Sequence, residues 1–165
     1  MLEKILSMLP SNSKLRIDAN GGWNRDQANY WAQKLHNNPL LEWLEQPLSP
    51  EDLSGLEKLA EYIPVALDES LNHNPCLRQT WKSWQIRRPS IDGDPRIILK
   101  ELTNKNSYIV ISTAFETGIG TRWVEYLARM QQHTKTPTKP GLAPGWRPNT
   151  PLFSNDPFVV WKTDI

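Results

Sequence analysis

Leu15-Arg16-Ile17-Asp18, Leu41-Glu42-Trp43-Leu44-Glu45 and Val65-Ala66-Leu67-Asp68 are apolar runs that each end in a carboxylate, and their even spacing decides how the chain is read. Each run has the length and residue types of a β-strand. Strands that recur with a helix between them lie side by side and parallel, with their C-terminal ends on one face. Asp18, Glu45 and Asp68 are then expected to converge. Three carboxylates without neutralising bases repel one another, and a cation between them removes the conflict. Hard oxygen donors suit Mg²⁺, whose remaining coordination positions are left to water and substrate.

Helix signals fill the gaps between the runs. After a glycine turn at Ala19 to Trp23, Asn24-Arg25-Asp26-Gln27 offers an N-cap with its partner three residues on. A helix to about His36 is predicted, with Ala28, Trp31, Ala32 and Leu35 on its core face. Ser49-Pro50-Glu51-Asp52 reads as the next start, with Ser49 as cap, Pro50 at the first helical position and Leu53, Leu56, Leu59 and Ala60 as the apolar face. Trp84 to Arg88 reads as a fourth strand, and a helix capped by Asp94 with Pro95 at its start follows. Tyr108 to Ser112 is the most strand-like segment of all. A helix over 120–132 then places Trp123, Leu127 and Met130 on one side. Met1 to Pro10 reads as the end of a helix, and the Pro- and Gly-rich stretch from Thr136 to Pro151 as loop around one last short strand. The result is a parallel α/β domain, either an open sheet or part of a barrel. No glycine-rich loop follows the first strand, so dinucleotide and P-loop readings have no support.

The bulk composition narrows the partners. A chain of 165 residues suits a single domain over 1–165. Lys plus Arg and Asp plus Glu number 19 and 18, so no overall field favours nucleic acid or an anionic membrane. The lone Cys76 excludes an internal disulfide and fits a cytoplasmic protein; no Cys/His cluster has zinc spacing. His73 and Cys76 read as ordinary loop residues. Trp31 and Trp123 fall on core stripes, whereas Trp146 in the tail is either a pocket wall or a staple.

The motifs themselves reach a family. Arg16-x-Asp18-x-Asn20, Leu44-Glu45-Gln46-Pro47, Asp68-Glu69-Ser70 and Arg88-Pro89-Ser90-x-x-Gly93-Asp94-Pro95 together resemble the enolase superfamily, and within it the o-succinylbenzoate synthase family of menaquinone and phylloquinone biosynthesis. That resemblance implies a partial TIM-type (β/α) barrel, about strands three to eight, without the N-terminal capping domain and first barrel strands. It implies Mg²⁺ held by Asp18, Glu45 and Asp68, with Arg16, Asn20, Ser112 and Gly141 facing or supporting a small carboxylate substrate. The reaction it implies is a syn dehydration of a cyclohexadiene carboxylate, in which a base removes the proton alpha to the carboxylate and Mg²⁺ holds the enediolate.

Two departures qualify the resemblance. The family's base lysine lies in a Lys-x-Lys segment, and this sequence contains none. The second family lysine falls at Arg88, which stays protonated near neutral pH and so holds charge over a ring without moving a proton. Racemases and epimerases need a base on each face; a one-base dehydration tolerates arginine here. Dipeptide epimerase or muconate-type cycloisomerase activity is therefore a weaker expectation, and a noncatalytic metal-binding remnant is a third. The chain is expected to be inactive alone, and to pair with a missing N-terminal half or self-associate through open barrel edges.

Overall fold

The computed structural model describes residues 2–106, 108–143 and 145–163; Met1 of the expected first helix and Pro144 of the expected tail loop lie outside them. Two compact units divide the chain, the first ending at Trp84 and the second running from Gln85. In the first, α1 (Leu2–Met8), β1 (Leu15–Asp18), α2 (Arg25–Leu35), β2 (Leu41–Glu45), α3 (Leu53–Ala60) and β3 (Val65–Leu67) alternate as the periodicity predicts. Two short helices, α4 (Glu69–His73) and α5 (Leu77–Thr80), occupy the stretch expected to be loop. His73 therefore ends a helix and Cys76 precedes one. Helices of this length carry too little periodicity to be read from sequence.

Strands β1 and β2 pair in parallel with Asp18 opposite Glu45, and β2 pairs in parallel with β3 with Glu45 opposite Ala66. Ile17, Leu44, Val65 and Leu67 pack on the helix side against Ala28, Ala32, Leu35, Leu56 and Leu59. Because side chains alternate along a strand, the opposite face receives Arg16, Asp18, Trp43, Glu45 and Ala66. A bulge between Leu15 and Arg16 leaves Glu42 as an extra residue on β2.

The caps were legible only in part. Asn24 and Gln27 form the expected capping box at the start of α2. Asp52, not Ser49, caps α3 and accepts from Gly55 N; Ser49 to Asp52 is instead a turn closed by Asp52 N to Ser49 O at 2.9 Å. Asp52 also takes Arg25 Nε at 2.7 Å, and this pairing with α2 selects the later residue as cap. The Arg25 hydrogen bond, ahead of the Gly55 and Ser54 bonds and against burial, holds the Asp52 carboxyl at about 2. Asp52→Ala is expected to lower stability by about 0.5–2 kcal/mol at neutral pH, the usual range for a lost N-cap. A depressed carboxylate stabilises the fold above its unfolded pKa and loses that contribution as pH falls through the folded one. Urea unfolding should therefore show the gap between wild type and variant closing from about pH 4 towards pH 2.

The second unit is built on β4 (Trp84–Arg87), whose first residue closes the first unit, then α6 (Pro95–Thr103), β5 (Ile109–Ile111) and α7 (Gly118–Gln131). A 3₁₀ turn (Pro151–Phe153) and α8 (Pro157–Trp161) follow. Strands β4 and β5 are parallel, with Arg87 opposite Ile111. Asp94 caps α6 as expected, accepting from Arg96 N. Tyr108 has a left-handed backbone, φ 62°, which keeps it out of β5. Ile98, Leu102, Ile109, Ile111, Val124 and Leu127 form this unit's own apolar cluster. The expected last strand is reduced to one parallel bridge, Ser112 to Gly141.

Candidate functional site

The strand ends of the first unit carry the carboxylates. Asp18 is exposed at the end of β1, Glu45 is half-buried at the end of β2, and Asp68, directly after β3, is 4% exposed. Asn20 N donates to Asp18 Oδ1 at 2.8 Å, and Trp43 Nε1 donates to Glu45 Oε2 at 3.1 Å. Asp68 stands at the N-cap position of α4, yet its carboxylate makes no capping hydrogen bond there. Register and face thus bring the three to neighbouring strand ends. Their side chains are not drawn into a cage: among the described residues, no group of three or more His, Cys, Asp or Glu side chains is close enough to hold a metal ion. The Asn20 amide and the Trp43 indole each take up an oxygen of Asp18 and Glu45 respectively. The donor set itself, all carboxylate oxygen on adjacent parallel strands, fits a hard divalent ion.

Arg16 lies on the same face, its guanidinium 4.1 Å from the Trp43 ring centroid and its Nε 2.8 Å from Glu42 Oε2. The bulge at Glu42 re-aims that carboxylate towards Arg16. Asn20 has φ 47°, so the chain turns left-handed two residues beyond Asp18.

In the second unit two adjacent arginines, Arg87 and Arg88, stand at the end of β4. Arg87 is 1% exposed and bonds Asp92 at 2.5 Å and Glu101 of α6 at 2.7 Å, so it faces the helix side with its partner Ile111. Alternation then turns Arg88 to the opposite face, where its Nη1 donates to Thr113 O at 3.0 Å. Ser112 occupies the equivalent position after β5. Its hydroxyl donates to Gly141 O at 3.1 Å, and a Cβ on Gly141 would lie 2.9 Å from that hydroxyl, which is why the bridge takes glycine.

Glu116 escaped the sequence reading. It accepts from Ser90 Oγ at 2.7 Å, from Ala114 N at 2.9 Å and from Thr113 Oγ1, tying the turn after Arg88 to the turn after β5. Burial pushes its carboxyl up, but the bonds from Thr113, Ala114 and Ser90 outweigh this and hold it below the usual range. A cavity of about 280 Å³ beside it is lined by Phe115, Trp146 and Arg147 among others, so Trp146 is a pocket wall; it also packs edge-on against Phe153.

Three comparisons bear on these strand ends. The enolase C-terminal domain-like family matches residues 2–83, the part that carries all three carboxylates. The o-succinylbenzoate synthase of Thermosynechococcus vestitus is 32% identical over 142 residues, 80% of this chain and 44% of that protein. The crystal structure of the o-succinylbenzoate synthase from Thermosynechococcus elongatus BP-1, complexed with Mg in the active site, superposes with a TM-score of 0.71 at 28% identity, over 89% of this chain and 48% of that one.

The chain belongs to the enolase superfamily. Its fold is accordingly α/β, part of a superfamily (β/α) barrel. Within the superfamily it is also similar to the L-Ala-D/L-Glu epimerase of Bacillus subtilis, 36% identical over 73 residues, 42% of this chain and 20% of that enzyme. The chain spans about half the length, or less, of these superfamily relatives. No helix among the described residues is long and apolar enough to cross a membrane.

Proposed function

We propose that this chain is the metal-binding portion of an o-succinylbenzoate synthase-type lyase of the cytoplasm, acting on a small cyclohexadiene carboxylate. The observation that carries the reading is the parallel register that sets Asp18 opposite Glu45, with Asp68 at the next strand end. The similarity to o-succinylbenzoate synthases over most of the chain supports it, because the epimerase match covers a smaller part. Asp18, Glu45 and Asp68 would hold Mg²⁺. When bound, the ion supplies a Lewis acid for negative charge that develops on substrate oxygen.

The remaining groups have work that follows from their chemistry. Arg88 places a permanent cation on the face opposite Arg87 and stabilises developing negative charge without serving as a base. Ser112 and Gly141 shape the neighbouring strand end, and Arg16 and Asn20 support the first carboxylate. No residue of the Lys-x-Lys type is present to remove the alpha proton, so turnover requires that base from another segment or polypeptide.

The test is Mg²⁺-dependent dehydration of the cyclohexadiene substrate, by the chain alone and with a capping segment that supplies Lys-x-Lys. The chain alone is expected to be silent and the completed assembly active. Arg88→Met in the active assembly should lower kcat by about 10²–10³, the usual loss for one charge-stabilising donor. Turnover by the chain alone would overturn the missing-base argument. Dipeptide epimerisation without dehydration would overturn the lyase assignment.

A further inference from the structure

Gln46 is fully buried, at 0% exposure, and a buried carboxamide is costly unless each of its polar atoms is satisfied. Its Nε2 donates to Leu48 O at 2.9 Å and to Ser70 Oγ at 2.7 Å. Its Oε1 accepts from Asp68 N and from Ser70 N, each at 3.1 Å. Both donor positions and both lone pairs are used. The main chain extends the pattern: Gln46 N donates to Ala66 O at 2.8 Å, and Gln46 O accepts from Gly21 N at 2.7 Å. One residue therefore touches the ends of all three carboxylate-bearing strands.

Its backbone makes the same point. Gln46 has φ 35°, in the left-handed region where a non-glycine residue is strained. Glycine would relieve that strain but would lose the carboxamide. Such strain persists only where the surroundings over-determine it, and here the side chain's own bonds do so.

We infer that Gln46 is a positioning residue that sets Glu45 and Asp68, and through Gly21 the turn after Asp18, in the register a divalent cation requires. This rests on the reading of Asp18, Glu45 and Asp68 as its ligands. Gln46 does not touch the ion. It fixes the main chain from which the Asp68 carboxylate springs and the residue that follows Glu45. An outer partner of this kind typically governs metal affinity by 10- to 100-fold, roughly, when removed.

The experiment titrates the full chain with Mn²⁺ by electron paramagnetic resonance, as wild type, Asp18→Asn and Gln46→Met, and follows amide hydrogen exchange in the same proteins. Wild type should bind, Asp18→Asn should bind far more weakly, and Gln46→Met should lose about 10- to 100-fold in affinity while still melting cooperatively. In Gln46→Met the Asp68 and Ser70 amides should exchange at least about tenfold faster, with the His36 amide at the end of α2 unchanged. Mn²⁺ affinity unaltered by Gln46→Met would overturn the inference. Binding indifferent to Asp18→Asn would overturn the ligand reading instead, and the amide rates would then judge the clamp by itself. If Gln46→Met does not fold, the wild type decides: Asp68 and Ser70 amides exchanging as fast as exposed loop amides would exclude the clamp.

Discussion

Gly118→Ala is expected to detach the C-terminal segment from α7. An added Cβ would lie 1.9 Å from Ser154 O and 3.1 Å from Val160 Cγ2, so the backbone between the 3₁₀ turn and α8 must withdraw by more than an ångström. Helix propensity alone argues the other way, since alanine gains up to about 1 kcal/mol over glycine inside a helix. Overpacking at a site that cannot relax costs about 1–3 kcal/mol, so the clash should prevail. The cost is capped by the free energy with which the segment docks, because undocking relieves the strain. Val160, 7% exposed, is the side chain that this docking buries. Hydrogen exchange at the Val160 and Thr163 amides should therefore accelerate strongly, while amides of β5 keep their protection. Unchanged exchange in α8 would show that the close approach of Gly118 to Ser154 is not what seats the segment.

The second large effect is expected at Arg87. Its guanidinium lies between Asp92 and Glu101, whose side chains are 6% and 16% exposed. Arg87→Ala removes the cation and leaves both carboxylates with little water to replace it. Breaking a buried pair in this way costs about 3–5 kcal/mol, a large part of the total stability of an ordinary domain. Replacing all three residues by apolar ones of similar volume should cost less than the single change, because no uncompensated charge then remains. Urea unfolding of Arg87→Ala, and of the variant with Arg87→Met, Asp92→Leu and Glu101→Met, tests both statements. A single-variant loss below about 1 kcal/mol would mean that Asp92 and Glu101 reach solvent and that the pair behaves as a surface ion pair.

Arg87 also shows where the sequence stops being informative. The alternation of strands and helices, the carboxylate-terminated runs and the Asn24–Gln27 capping box are local patterns, legible because each depends on residues close in sequence. Which of Arg87 and Arg88 faces the helices depends on partners five and fourteen positions away, Asp92 and Glu101, and the sequence offers several acids at such distances. The cap of α3 failed for a similar reason: Ser49 and Asp52 are both good caps, and Arg25, on another helix, decides between them. Gln46 stood in a recognised motif, but its role comes from Asp68 and Ser70, more than twenty positions on. For the carboxylates themselves, sequence gave the strand ends and the face, while the orientation of the side chains follows from the donors beside them.

The bulge that makes Glu42 the extra residue of β2 has a consequence for how this region tolerates change. Between Leu15 and Asp18 the first strand advances by one residue fewer than the second does between Leu41 and Glu45, and the extra residue is absorbed at the start of the pair. A length mismatch placed there stays upstream of Asp18 and Glu45, whereas a one-residue slip beyond it would invert the face of every side chain that follows. Insertions and deletions before the bulge can therefore accumulate in a lineage with the ends of β1 and β2 still level, and those after it are expected to be purged.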